Sequence, residues 1–207
     1  MTSPKGVSPI ASNKSSPPLV LASESPRRLA LLEQAGIVPA AVKPASVDET
    51  PLKTELPRAY AMRVARAKAE TVAGRWSDGP AIFLAADTVV ACGRRILPKA
   101  ETDDQVRACL DILSGRRHQV LTAVVVLGDN RTRTRLVETR LSFKRLTEDE
   151  IAAYVRCGEG LGKAGGYGIQ GRAETFVRQV NGSYSNVVGL PLLETVGLLG
   201  ACGVAIS

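Results

Sequence analysis

Residues 19–37 read Leu-Val-Leu-Ala-Ser-Glu-Ser-Pro-Arg-Arg-Leu-Ala-Leu-Leu-Glu-Gln-Ala-Gly-Ile. Leu19-Val20-Leu21 predicts a short strand. Ser25 offers an N-cap, Pro26 suits the first helical position and Gly36 is a natural stop. Leu29, Leu32 and Ala35 follow at helical spacing, so the pattern predicts a helix from Pro26 to Ala35. Helix first turns carry partial positive charge and attract Asp or Glu. This one carries Arg27 and Arg28. Solvent or carboxylates from elsewhere can accommodate them, or an anion sits among them; the turn alone leaves both readings open. In the second reading the strand, the small-residue turn and the Arg-bearing helix start form a phosphate seat. The stretch lacks the glycines of a Walker A loop or a dinucleotide fingerprint.

Outward from this stretch, residues 1–18 are rich in Ser, Pro and Lys and are read as a disordered tail preceding one domain, 19–207. Ala40 to Pro57 is mostly loop and contains Asp48-Glu49. Arg58 to Ala73 is predicted helical with Tyr60, Val64 and Ala67 as its apolar stripe, and Arg63, Arg66, Lys68 and Glu70 mostly on other faces. Ala81 to Ala91 is a nearly unbroken apolar run of the kind covered on both faces. Asp87 sits inside it, sharing a face with Ala85 and Val89. A carboxylate there is costly unless hydrogen-bonded, paired or bound to a cation, which makes it a functional candidate. Cys92-Gly93-Arg94 turns the chain into a short partner strand ending near Lys99.

Thr102-Asp103-Asp104 starts the next helix, with Val106, Leu110 and Leu113 as its stripe and Ser114-Gly115 as its end. His118 to Leu127 forms a second apolar strand, turned by Gly128-Asp129-Asn130 into a hairpin with Thr134 to Leu146. Arg131, Arg133 and Arg135 are read as an exposed, solvated edge, and His118 as a hydrogen-bonded strand-start residue. Thr147 and Glu150 fit a capping box for a helix to Cys157. Gly158 to Gly171 is a glycine-dense loop whose backbone can approach a ligand closely, with Lys163 and Gln170 for polar contacts. Its Ala164, Tyr167 and Ile169 are too apolar for a plain linker. A strand is expected at Glu174 to Val180, a turn at Asn181-Gly182, and a last helix from near Pro191 to Leu199.

The chain has 207 residues, a net charge of +7 and 4% aromatic residues. Scattered arginines favour an anionic ligand, and the scarcity of aromatics counts against nucleic acid. Four widely spaced cysteines and a single histidine argue against a zinc site and a disulfide scaffold, and leave little room for a Ser-His-Asp triad. No segment has signal-peptide or transmembrane character, so the expected location is the cytoplasm. Basic groups, a strand Asp, a loop Glu and a glycine-rich flap suit metal-assisted cleavage of a phosphoanhydride by water. No Ser or Cys nucleophile is backed by a visible base.

Five motifs carry a resemblance. They are Ser23-x-Ser25-Pro26-Arg27-Arg28, Asp87-Thr88-Val89-Val90, Leu113-Ser114-Gly115-x-x-His118-x-Val120-x-Thr122, Lys163-Ala164-Gly165-x-Tyr167-Gly168-Ile169-Gln170-Gly171, and Gly182-Ser183-Tyr184-x-Asn186-Val187-Val188-Gly189-Leu190-Pro191. Together they resemble the Maf family of nucleoside triphosphate pyrophosphatases, from about Leu19 to Leu199. The resemblance implies an α/β fold with an elongated, mixed, twisted sheet and two lobes around a nucleotide cleft, often dimeric. It implies hydrolysis of a nucleoside triphosphate to monophosphate and pyrophosphate with a divalent cation, Mg²⁺ or Mn²⁺.

By the same resemblance, Asp87 is the proton acceptor for the attacking water, and Glu49 with Asp87 are the candidate metal ligands. Ser23, Arg28, Lys68 and Lys99 contact phosphates or metal-bound water, while Arg27, Thr88 and Gln170 match positions that set base preference. The Tyr167-Gly168-Ile169-Gln170 form with Arg27 is similar to the branch acting on dTTP and UTP. A Gln amide both donates to and accepts from a pyrimidine edge. The alternatives it leaves are a 7-methyl-GTP or other modified-nucleotide pyrophosphatase, and a septum or cell-division regulator that keeps the pocket. The chain departs from the family pattern at Glu24, where small residues are common, at Ala100, in place of Pro, and at Gly162, in place of Asp.

Overall fold

The computed structural model describes residues 17–128 and 131–204. The expected tail lies outside the described residues except for Pro17 and Pro18, and Pro18 already belongs to the fold: its carbonyl accepts from Ile82 N at 2.9 Å. Asp129 and Asn130 of the expected hairpin turn also lie outside.

Strand β1 (Leu19–Leu21) leads into helix α1 (Pro26–Gln34) as the opening stretch predicts, and β2 (Ala41–Val42) returns parallel to β1. Helix α2 (Pro57–Arg75) begins one residue before the expected start, because Pro57 occupies N1, and runs two beyond the expected end. Strands β3 (Ile82–Cys92), β4 (Arg95–Leu97) and β5 (Lys99–Ala100) follow, then helix α3 (Asp103–Leu113), capped by Thr102 Oγ accepting from Gln105 N at 3.3 Å. Strands β6 (Arg117–Gly128) and β7 (Arg131–Phe143) form the long hairpin. Its second arm starts and ends three residues before the expected bounds. Helix α4 (Glu148–Cys157) has the expected capping box, β8 (Lys163–Ala164) lies in the glycine-dense segment, and β9 (Val177–Asn181) follows it. Helices α5 (Tyr184–Val188) and α6 (Leu192–Gly200) close the chain.

Two local expectations fail for identifiable reasons. Residues Arg172–Phe176 form a single 3₁₀ turn rather than the first half of a strand, because Ala173 and Phe176, three apart, both point into the core. Helix α5, unforeseen, is too short for any periodicity; Ser183 Oγ caps it by accepting from Asn186 N.

The main sheet is mixed, in the order β2-β1-β3-β6-β7-β9, with β4 pairing β3; β5 and β8 form a separate two-stranded sheet. Strands β1, β2 and β3 run parallel, and the remaining pairs of the main sheet are antiparallel. The sheet is flanked by helices, which explains why β3 and β6 read as nearly unbroken apolar runs. Phe83, Ala85, Val89, Leu121, Ala123 and Val125 face α2, while Ile82, Leu84, Ala86, Val90, Val120, Val124 and Val126 face the core shared with α1, α3 and α6. Among the described residues no helix is long and apolar enough to cross a membrane.

One interruption in this sheet creates a site. Strand β1 pairs with β3 over Ile82–Leu84, and β4 pairs with it over Val90–Cys92. Between these stretches, β3 has a strand neighbour only in β6 among the described residues. Asp87 and Thr88 lie in that gap.

Candidate active site

The gap opens into a cleft of about 880 Å³. Its walls are the β1–α1 turn, the edge of β3, the loop after β2, the β4–β5 segment, the glycine-rich loop and the end of α5. All ten candidate residues line it. Ser23, Arg27 and Arg28 come from the turn, Asp87 and Thr88 from β3, and Lys68 from α2. Glu49 comes from the loop before α2, Lys99 from β5, and Lys163 and Gln170 from the glycine-rich segment.

Adjacent residues of β3 point to opposite faces, so Asp87 and Thr88 serve two different clusters. Asp87 faces α2 and is only 5% exposed. Its Oδ1 accepts from Lys68 Nζ at 2.7 Å, and Glu49 Oε1 lies 2.8 Å from the same ammonium. The expectation for Lys68 is corrected here: it lies on the buried side of α2, one turn beyond Val64, with its side chain 12% exposed. Two carboxylates neutralise it, and that is why a lysine is tolerated there. Burial pushes the Asp87 carboxyl above the ordinary range, against the opposing pull of Lys68 and then Arg28; Glu49 pushes it further up.

The Glu49 loop is tied to α2 by groups that sequence reasoning assigned no role. Tyr60 hydroxyl donates to Glu49 O at 2.6 Å, and burial pushes that phenol up to about 12. Arg63 holds Glu55 bidentately at 2.8 Å and donates to Thr50 O at 3.1 Å. Tyr60 was legible only as a stripe residue, because its hydroxyl partner is a backbone carbonyl in a loop.

On the other face, the Arg28 guanidinium is held at three points. Nε donates to Gly189 O at 2.8 Å, Nη1 to Ser23 Oγ at 3.1 Å and Nη2 to Thr88 Oγ1 at 3.3 Å. Burial lowers its pKa, with Asp87 opposing the shift and Arg27 adding to it. Ser25 sits at the N-cap position but makes no side-chain cap; its N–H donates to Ser23 Oγ at 3.2 Å instead. The first turn of α1 is thus left without a capping side chain and flanked by Arg27 and Arg28. Arg27 and Lys163 both have pKa values lowered, chiefly by burial, and for Lys163 the nearby Arg27 adds to it. Lys99 and Gln170 are exposed on the cleft wall.

The glycine-rich loop is structured. Lys99 and Ala100 pair antiparallel with Ala164 and Lys163, and Tyr167 and Ile169 are buried in the main core. Its anchor is His118, whose Nε2 lies 2.8 Å from the Tyr167 hydroxyl, so the reading of His118 as a hydrogen-bonded strand-start residue fits its surroundings. The Arg stripe of β7 is less uniform than expected: Arg131 and Arg135 are exposed, whereas Arg133 is partly covered and lies 3.3 Å from Cys202 Sγ.

The cleft therefore offers one floor of buried cationic and hydroxyl groups beside a helix start, and a second floor with two carboxylates. That is a complement to an extended polyanion carrying a counter-cation, with Asp87 available as a base.

A family model described as Maf-like protein matches residues 18–202. A dTTP/UTP pyrophosphatase of Rhodopseudomonas palustris is 60% identical over 192 residues, covering 90% of this chain and 93% of its own length. Proteins of the same name from Caulobacter vibrioides and Paramagnetospirillum magneticum are 57% and 58% identical over 189 and 188 residues. Each spans 90% of this chain, and 96% and 98% of its own length respectively.

Proposed function

The chain belongs to the Maf-like proteins, and from that premise we propose that it hydrolyses dTTP and UTP to the monophosphate and pyrophosphate, with Asp87 as the proton acceptor. The observation that carries the reading is the cleft at the β3 gap, where a carboxylate buried against α2 and a guanidinium clamped on the opposite face open into one space.

Arg28 arrives pre-oriented, so little rotamer freedom is lost when it meets a phosphate. Lys99 and Lys163 supply further positive charge along the cleft wall for the remaining phosphate oxygens. Asp87, buried with a raised pKa, is a stronger base than a solvated carboxylate and accepts a proton from water attacking the α-phosphorus. Lys68 keeps that carboxylate ionised and oriented. The Gln170 amide offers both a donor and an acceptor to a pyrimidine edge. Thr88 and Arg27 complete the contacts that set base preference.

Glu49 and Asp87 are the residues that would hold a divalent cation. They fit one: both carboxylates reach the same ammonium, so they converge, and Mg²⁺ is commonly held by one or two carboxylates with substrate phosphates supplying the rest. When bound, Mg²⁺ or Mn²⁺ supplies charge neutralisation on the phosphate oxygens.

The test is turnover on a panel of UTP, dTTP, CTP, dATP and 7-methyl-GTP with Mg²⁺ or Mn²⁺, following pyrophosphate release. UTP and dTTP are expected to give the highest kcat/KM. A preference for 7-methyl-GTP, or release of orthophosphate in place of pyrophosphate, overturns the reading.

A further inference from the structure

We infer that Thr122 and Asn186, neither of which reaches the cleft, are positioning residues that hold Arg28 in its phosphate-binding pose through a polarised chain of side chains. The inference rests on the function proposed above. Both are completely buried polar residues, Thr122 inside the otherwise apolar run of β6 and Asn186 on α5. A buried hydroxyl and a buried amide at such positions cost free energy unless their hydrogen bonds are made.

The direction of every bond in the chain follows from the inventory of protons. Thr122 Oγ1 lies 2.9 Å from Asn186 O, and a carbonyl can only accept, so the single Thr122 proton is committed there. Thr88 Oγ1 is 3.0 Å from Thr122 Oγ1 and must therefore be the donor in that pair. With its proton committed, Thr88 accepts from Arg28 Nη2 at 3.3 Å, and its 3.5 Å approach to Gly189 O contributes no bond. The far end is equally determined. Asn186 Nδ2 donates to Val120 O and to Thr139 Oγ1, each at 3.0 Å; the Val120 carbonyl fixes the amide orientation, since a flipped amide would set two oxygens face to face. Thr139 Oγ1 is saturated, accepting additionally from Ser183 N and donating to Ser183 O, each at 3.0 Å.

Asn186 thus nails α5 to β6 and β7. That fixes the two carbonyls on which the clamp depends: Asn186 O within α5, which orients Thr122 and through it Thr88, and Gly189 O at the C-cap of α5, which receives Arg28 Nε at 2.8 Å. A guanidinium has five N–H groups. Three go to Gly189, Ser23 and Thr88, leaving one on each terminal nitrogen for a bidentate phosphate contact.

Thr122→Val tests this, since it preserves shape and deletes the relay hydroxyl. The KM for UTP is expected to rise about tenfold, with inorganic pyrophosphate affinity by calorimetry falling by a similar factor. Thr122→Ser, which restores the hydroxyl, should return both to within about twofold of the parent. In an Arg28→Lys background, Thr122→Val should change neither quantity further, because the clamp it supports is already gone. An unchanged KM and pyrophosphate affinity in Thr122→Val overturns the inference. So does failure of Ser to rescue, or a full additional loss in the Arg28→Lys background, either of which signals general loosening of the core. Pyrophosphate binding reads the clamp without turnover. A protein whose pyrophosphate affinity depends on Thr122 yet which hydrolyses no pyrimidine triphosphate refutes the proposed activity and leaves the clamp standing.

Discussion

Asp87→Asn separates chemistry from architecture more sharply than any other substitution in this cleft. The amide has the volume of the carboxyl, and its oxygen can go on accepting from Lys68 Nζ, now at 2.7 Å, while Lys68 keeps Glu49 at 2.8 Å. Two electrostatic effects on stability oppose each other. Burial disfavours the ionised Asp87 carboxylate, a cost incurred as pH rises through its folded pKa, and the amide relieves it. The amide also forfeits the attraction of a buried carboxylate for Lys68. Their difference is about 1 kcal/mol or less, which for a chain of this size moves Tm by about 4 °C at most.

Turnover responds on another scale. A positioned general base contributes about 10²–10⁴ in rate, so kcat should fall by that factor, or about 3–5 kcal/mol in barrier height. With Mg²⁺ or Mn²⁺ in saturating excess, KM should stay within about threefold, because Arg28, Ser23 and Thr88 act from the other face of β3 and are untouched. The pH profile adds an independent signature. In the parent, kcat/KM falls as pH drops through a pKa above the ordinary carboxylate range, and the variant loses that limb. The assays are pyrophosphate release from UTP and dTTP, and thermal melting of the same preparations. Turnover within tenfold of the parent refutes Asp87 as the base. A loss of turnover accompanied by a collapse in Tm refutes the claim that its role is chemical.

Lys68→Met keeps the aliphatic stem but leaves Asp87 and Glu49 without their shared cation. Since Lys68 holds the Asp87 pKa down, the acid limb of kcat/KM should move to higher pH, and Tm should fall by the equivalent of about 3 kcal/mol; an unmoved limb refutes the coupling. Gly165→Ala demands a left-handed φ of +69° from an L side chain and sets its Cβ 2.8 Å from Val90 Cβ and Cγ1. Urea unfolding should show a loss of about 2–4 kcal/mol, and parent-like stability would show that the glycine-rich loop can withdraw from β3. His118 has its pKa lowered to about 4 by burial, so it is neutral in the fold and charges on unfolding below its ordinary value of 6.5. Its contribution is present above pH 6.5 and is lost as pH falls towards 4, to the extent of about 3 kcal/mol. His118→Gln should flatten the Tm–pH curve across that window, and an equally steep curve in the variant would place the acid sensitivity elsewhere.

What could be read without coordinates was whatever depends on neighbours in the chain. The caps of α3 and α4 were legible because Thr102 reaches Gln105 and Thr147 reaches Glu150 within one turn, and β3 and β6 because both faces of each are covered. Ser25 shows where such rules stop: the position is right, yet its own N–H turns to Ser23 Oγ and no side chain caps the helix. Lys68 stands on the same face as Tyr60 and Val64, but the rule that lysines are solvated assigns it elsewhere. Only the arrival of Glu49 and Asp87, from 19 residues away in each direction along the chain, makes its burial affordable. The motifs containing Thr122 and Asn186 stood in plain view, whereas their chemistry did not. The bond between Thr88 and Thr122, 34 residues apart, exists only because the two fall opposite each other in the β3–β6 register. A one-residue slip of that register would turn Thr88 and Thr122 to opposite faces of the sheet and break the chain to Arg28. The candidate site was therefore recognisable from its residues, but the physical reason those residues work together resides in strand register, which no local pattern encodes.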